Sequence, residues 1–235
     1  MYFFIGSIVI TVIVVTIVLI NAKRSEVKQK EIAKAKNLVN ERKKIEQKRI
    51  ADKKGELGEY KINFQIEGLP SEYKYLADIM IKSKKGLTQI DHVVVSPFGI
   101  FVIETKNYAG WIFGDQKDKY WTQTFYNKKN RFYNPIRQNY GHVQALKELL
   151  EEYKNVKFHP IIAFSRRCEL RGIKSDIPVI YDTEITNVIL RRNKEVLLSS
   201  LDVTNIYNKI KSANITDQNI RDEHIQQIKR RMQSN

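Results

Sequence analysis

Residues 88–106, TQIDHVVVSPFGIFVIETK, contain two β-branched, apolar runs joined by Ser96-Pro97-Phe98-Gly99. Proline at the second position of a four-residue turn, with glycine at the fourth, is a type I turn signal, so the stretch predicts a tight antiparallel hairpin. With Pro97 and Phe98 as the central residues, Ser96 faces Gly99; counting back sets Asp91 opposite Glu104 and Gln89 opposite Lys106. Side chains alternate along a strand, so these four leave one face, and directly opposed Cβ atoms lie roughly 4.5–5.5 Å apart. Two carboxylates that close repel each other, and burial penalises each charge further. A divalent cation would neutralise them. The oxygen donors favour Mg²⁺ or Mn²⁺ over zinc, because no Cys and no His-x-x-x-His pair joins them. Lys106, two residues beyond Glu104, is then placed to hold a water or to stabilise a phosphorane-like transition state. The plainer reading of the same spacing is a surface hairpin with a cross-strand Glu–Lys pair and an incidental Asp.

A length of 235 residues allows one sizeable domain with appendages, and 42% hydrophobic with 29% charged residues suits a globular chain. A lone cysteine, Cys168, excludes an intramolecular disulfide and a multi-cysteine zinc site, and reads as a packing residue in a reducing compartment. The formal charge of +15 first suggests nucleic acid, but its placement matters more. Residues 23–54 carry 13 Lys/Arg against 5 Asp/Glu, whereas residues 55–206 carry 22 against 18. The excess therefore belongs largely to a basic linker and says little about what the central domain binds.

Phe3 to Ile20 is an uncharged apolar run interrupted by Gly6, Ser7, Thr11 and Thr16. At about 1.5 Å per residue it is long enough to cross most of a bilayer core of roughly 30 Å, and it predicts a transmembrane helix. No basic n-region or small-x-small cleavage site marks it as a signal peptide. Lys23 and Arg24 follow at once, which predicts a single-pass protein with its N-terminus outside and its main domain cytoplasmic. Residues 23–54 are rich in good helix formers with sparse apolar positions, so they predict a mostly solvated helical stalk whose basic excess would contact anionic lipid. The expected domains are a transmembrane helix over 1–22, this linker over 23–54, a folded domain over 55–206 and a helical tail over 207–235.

Within the domain, Glu56 and Glu59 stand three apart, a helix-face spacing whose ordinary use is a solvated face. Residues 73–83 read as a strand before the hairpin. The segment after Lys106 alternates aromatic and polar residues and predicts one or two short strands, with Trp111 and Trp121 covering the sheet edge. Lys117, Lys119, Lys128, Lys129 and Arg131 interleave with those aromatics, a composition that tracks a nucleic-acid backbone and stacks bases, and equally that of an exposed edge hairpin. Asn134-Pro135 starts a helix, with Asn as N-cap and Pro at the first helical position. Gln138 and His142 then lie one turn apart near its positive end, suited to a phosphate or simply an exposed polar pair. Residues 156–164 and 177–181 read as strands, and 184–191 and 201–212 as helices.

The ordered set Gly55-Glu56-x-x-Glu59, Gln89-Ile90-Asp91-His92, Gly99 to Lys106 (GIFVIETK), Gly110, Trp121 and Asn134-Pro135-x-x-Gln138 resembles the nuclease-related domain, NERD, over roughly residues 55–164. That domain is similar to the PD-(D/E)XK nuclease-like superfamily. The resemblance implies an α/β, restriction-endonuclease-like core, a mixed central sheet flanked by helices. It also implies Asp91 and Glu104 as metal-binding acids, Lys106 as the catalytic lysine, Glu59 as an acid from the first helix and Gln138 as a polar position on the helix after the sheet. Ile90 stands where the superfamily's short name has proline, which that superfamily commonly lacks. The expected function is a membrane-anchored, Mg²⁺- or Mn²⁺-dependent nuclease-like protein hydrolysing phosphodiester bonds in DNA. In it Asp91, Glu104 and the Thr105 carbonyl hold the metal, Glu59 ligates or tunes it, Lys106 orients or deprotonates water and Gln138 positions phosphate. The alternatives are a non-catalytic tether of the same fold that binds nucleic acid or a protein partner, and a lipid-binding stalk that merely carries the domain.

Overall fold

A computed structural model describes residues 65–126, 128–192 and 195–233 without a break, together with residue 62 and six positions between 29 and 41. The chain divides into two units, Met1–Lys54 and Gly55–Asn235. In the first, the six described positions are helical and exposed. The predicted transmembrane helix lies outside the described residues, and among those described no helix is long and apolar enough to cross a membrane. The predicted site acid Glu59 also lies outside them.

The second unit is mixed α/β with two sheets and flanking helices, which fits a nuclease-like core. The larger sheet has the order β1 (Lys74–Ser83), β2 (Gly86–Ser96), β3 (Gly99–Lys106), β7 (Phe158–Phe164) and β9 (Val179–Tyr181). β1, β2 and β3 run antiparallel, while β3, β7 and β9 run parallel. A second sheet of order β6 (Lys128–Tyr133), β5 (Tyr120–Phe125), β4 (Gly110–Asp115) and β8 (Cys168–Lys174) exceeds the one or two strands expected. Among the described residues the helices include α1 (Pro135–Leu149), α2 (Ile185–Leu190), α3 (Ser200–Ala213) and α4 (Gln218–Gln233), with a 3-10 turn at Asp182–Glu184 before α2.

Near-continuous apolar runs on β2 and β3 suit strands buried on both faces. On one face Val93, Val95, Ile100 and Val102 pack with Val143 and Leu146 of α1 and with Ile206 and Ile210 of α3. On the other, Val94, Phe101 and Ile103 meet Ile62, Ile66 and, from α2, Ile185 and Ile189. α3 crosses the expected boundary at residue 206 and packs against β1, so its first half and its last belong to one layer. β1 is an edge strand, and an open edge invites pairing with another chain. Here the Met80 N–H donates to Asn214 Oδ1 at 2.9 Å and the Ile215 N–H donates to the Met80 carbonyl at 2.8 Å, which closes part of that edge.

The predicted turn forms, with Ser96 opposite Gly99. Gly99 has φ +122°, and a Cβ there would meet the Lys157 carbonyl oxygen at 2.5 Å, so this position demands glycine. The ladder continues to His92 opposite Ile103 and ends there, one pair short of the expected Asp91–Glu104 opposition. The cause lies on β1 and β2 together. Ala77 pairs with His92 and Ile79 with Ile90, leaving Asp78, at φ +51°, and Asp91 between the paired residues. Leu76, Ile79, Ile81, Ile90, Val93 and Val95 all enter one core cluster, although strict alternation would separate 76 from 79 and 90 from 93. Both strands therefore change face at the same level. Gln89 is carried away from Lys106 and donates to Asp78 Oδ1 at 2.6 Å instead.

Trp121 does not cover an edge. It is 1% exposed and stacks on Phe164 at 6.1 Å with a 5° interplanar angle, in the core between the second sheet and β7. Gly114 admits this indole, because a Cβ there would lie 2.1 Å from Trp121 Cδ2.

Candidate active site

The site is assembled at the end of β3 and the start of α1. Asn134 caps α1, accepting from the Ile136 N–H at 2.9 Å, and its amide donates to three carbonyls of the β4–β5 turn, those of Asp115, Gln116 and Asp118. One turn further, the Asn139 amide donates to the Val102 and Ile161 carbonyls at 2.9 and 3.1 Å, pinning α1 across β3 and β7. That docking aims Gln138 and His142 at the last residues of β3.

Glu104 is 1% exposed. Its Oε1 accepts from Lys106 Nζ, and its Oε2 lies 3.0 Å from His142 Nε2. Lys106 Nζ also donates to Gln138 Oε1 at 3.2 Å, and His142 Nδ1 meets the Thr88 hydroxyl at 2.8 Å. Across the gap where β2 and β3 stop pairing, Asp91 Oδ2 accepts from both the N–H and the hydroxyl of Thr105, each at 2.8 Å. These groups border a cavity of about 280 Å³ whose walls include Asp91, Glu104, Thr105, Lys106, Gln138 and Asp182.

The two acids are not equivalent. Burial, reinforced by the nearby charge of Glu104, raises the Asp91 carboxyl above the ordinary carboxylate range, against the opposing pull of Lys106 and the Thr105 bonds. Burial would raise Glu104 too, but Lys106 and His142 outweigh it and hold Glu104 below that range. Burial would lower the Lys106 ammonium, but Glu104 and Asp91 outweigh it and raise it above the ordinary lysine value. Paired titratable groups pushed apart in this way are a recurring mark of reactive sites.

Asp91, Glu104, Thr105, Lys106 and Gln138, all singled out in the sequence, come together here. His142 was visible as Gln138's neighbour one turn on, but not as the partner of Glu104. Thr88 and the buried Asp182, which follows β9, carried no sequence signal at all. Among the described residues no group of three or more His, Cys, Asp or Glu side chains is gathered closely enough to hold a metal ion. Two carboxylates and a backbone carbonyl nonetheless suit Mg²⁺, which keeps several waters and binds through one or two carboxylates.

The fold and this acid–lysine constellation define a nuclease-like α/β domain, and comparison with known proteins agrees. The nuclease-related domain family, NERD, matches residues 54–165. An uncharacterized protein of Bacillus anthracis, pXO1-01, is 33% identical over 189 residues, covering 78% of this chain and 88% of that protein. The chain belongs to the nuclease-related domain family. A crystal structure of a protein of unknown function, AF1548, aligns with a TM-score of 0.29 at 9% identity, over 57% of this chain and 53% of that one.

Proposed function

We propose that this nuclease-related protein is a metal-dependent hydrolase of phosphodiester bonds in DNA, held at the cytoplasmic face of a membrane by residues 3–20. The observation that carries the reading is the convergence of Asp91, Glu104, Thr105 and Lys106 on one cavity. Asp91, Glu104 and the Thr105 carbonyl would hold Mg²⁺ or Mn²⁺, with Glu59 as a further ligand. The ion would supply Lewis-acid stabilisation of charge on the phosphoryl oxygens.

Lys106 stays an ammonium at neutral pH, because the two acids raise it. As an ammonium it would donate to the attacking water or to a phosphoryl oxygen. Gln138 offers Lys106 a second anchor, which would hold the ammonium in place with Glu104 Oε1 given over to a cation. His142 and Thr88 fix the orientation of the Glu104 carboxylate through Oε2.

The runner-up is a non-catalytic tether of the same fold. Isothermal titration with Mn²⁺ separates the two. A hydrolase binds the ion, and Asp91→Asn abolishes the binding; a tether shows no binding that depends on Asp91.

A further inference from the structure

The second sheet has one face in the core, where Ile112, Trp121 and Phe132 lie, and the opposite face toward solvent. Register places on that outer face Trp111 and Phe113 of β4, Tyr120, Thr122 and Thr124 of β5, and Lys129, Arg131 and Tyr133 of β6. Trp111, Phe113 and Tyr133 are 44%, 37% and 41% exposed, a costly surface for three large rings on a fold whose core is elsewhere.

The rings come with cations. The Arg171 guanidinium lies over Trp111 at 4.1 Å from the ring centre. Arg131 and Lys119 lie over Tyr120 at 5.1 and 5.3 Å, and Tyr133 meets Tyr120 edge-on at 6.2 Å. β5 and β6 carry Lys128, Lys129 and Arg131 and no acid. Two acids share this face: Glu169 of β8, paired with Arg171 at 2.8 Å, and Asp115 at the end of β4, whose Oδ1 accepts from the Lys117 N–H at 2.9 Å. A flat sheet that offers π-faces and guanidinium planes inside a positive field matches unpaired bases joined by phosphates. A duplex hides its base faces and would gain the charge term alone.

We infer that the outer face of the β4–β5–β6–β8 sheet is a binding platform for single-stranded nucleic acid. Trp111, Tyr120 and Tyr133 stack bases there, while Lys129 and Arg131 neutralise phosphates. The platform does not depend on hydrolysis, yet it adjoins the cavity along the chain. Trp111 follows Lys106 by five residues, so the two Cα atoms are no more than about 18 Å apart.

The test uses the full chain with a fluorescein-labelled oligothymidylate, read by anisotropy in EDTA so that cleavage is silent. The oligonucleotide binds, and a duplex of equal length binds more weakly. Trp111→Ala weakens single-strand affinity by roughly fivefold to a hundredfold, the range of one lost base stack. Arg131→Glu weakens it and flattens its salt dependence. Both side chains are exposed, so neither change removes a core contact. Glu104→Gln abolishes cleavage in Mg²⁺ and still binds the oligonucleotide. If every form fails to cleave while Trp111-dependent binding persists, the platform stands and the hydrolase reading falls. Unchanged affinity in both Trp111→Ala and Arg131→Glu overturns the platform, as does equal or tighter duplex binding. So does Trp111-dependent binding to phosphatidylserine vesicles with none to the oligonucleotide.

Discussion

His142 Nε2 lies 3.0 Å from Glu104 Oε2, tying the first half of α1 to a buried carboxylate at the end of β3. Glu104 is 1% exposed, and its Oε2, turned to His142, depends on that ring as its hydrogen-bond partner. Replacing one partner leaves a desolvated acceptor that nothing else satisfies.

His142→Ala is therefore expected to destabilise the domain by about 1–3 kcal/mol, the cost of an unsatisfied buried polar group. His142→Gln, which restores a donor on the same helix face, recovers part of the loss. Urea denaturation of the three proteins measures it. Equal midpoints would show that Glu104 does not depend on this ring.

Gly114→Ala tests the packing of the second sheet on the first. The added methyl would lie 2.1 Å from the Trp121 indole, which is buried against Phe164 and has no space to retreat. Overpacking of this kind costs about 1–3 kcal/mol or more. The expected signature is a lower thermal midpoint together with a shifted tryptophan emission, whereas an unchanged spectrum would place the indole elsewhere.

Burial pushes the Cys168 thiol up to about 11. A thiol raised above its unfolded value near 9 stabilises the fold fully below pH 9, and that contribution is lost as pH rises through 11. At pH 8 the native thiol is accordingly inert to iodoacetamide and becomes reactive on unfolding in urea. Stoichiometric labelling of the folded protein at pH 8 would contradict this environment.

Arg221 fastens α4 to the irregularity in β1. It donates to the Ile215 carbonyl at 3.0 Å and pairs with Asp78 Oδ1 at 2.5 Å. Asp78 is more than half exposed, so solvent screens the ion pair and the backbone bond carries most of the effect. Arg221→Ala is expected to cost about 1 kcal/mol and to speed amide exchange in α4 well before the core strands exchange. Uniform acceleration across the domain would mean that α4 is not a separate unfolding unit.

These contacts also show which features the sequence could disclose. The turn at 96–99, the cap at Asn134 and the one-turn spacing of Gln138 and His142 are local, and local chemistry set each of them. Glu104 and Lys106 share a face because β3 is regular. The irregularity at Asp78 and Asp91 is different in kind. Both strands skip one residue at the same level, so the pairing register continues while the faces exchange, and counting along either strand alone puts Gln89 beside Lys106. Asp91 still reaches the cavity, through Thr105 and not through opposition to Glu104. β8 was invisible for another reason. Its seven residues, CELRGIK, alternate only over Cys168–Arg171 before Gly172 breaks the period, and their pairing with β4 comes from more than fifty positions away. Trp121 looked like an edge residue because its neighbours are polar, yet Gly114 and Phe164 make the slot that buries it.

We propose that Asp91, Glu104 and Lys106 form one metal-dependent hydrolytic site. It is tested most directly by incubating the purified protein with linear and nicked DNA in Mg²⁺, Mn²⁺ or EDTA. Cleavage is predicted in either metal, none in EDTA, and none for Glu104→Gln or Lys106→Ala in any condition. Cleavage of equal rate by the wild type and both variants would contradict the claim.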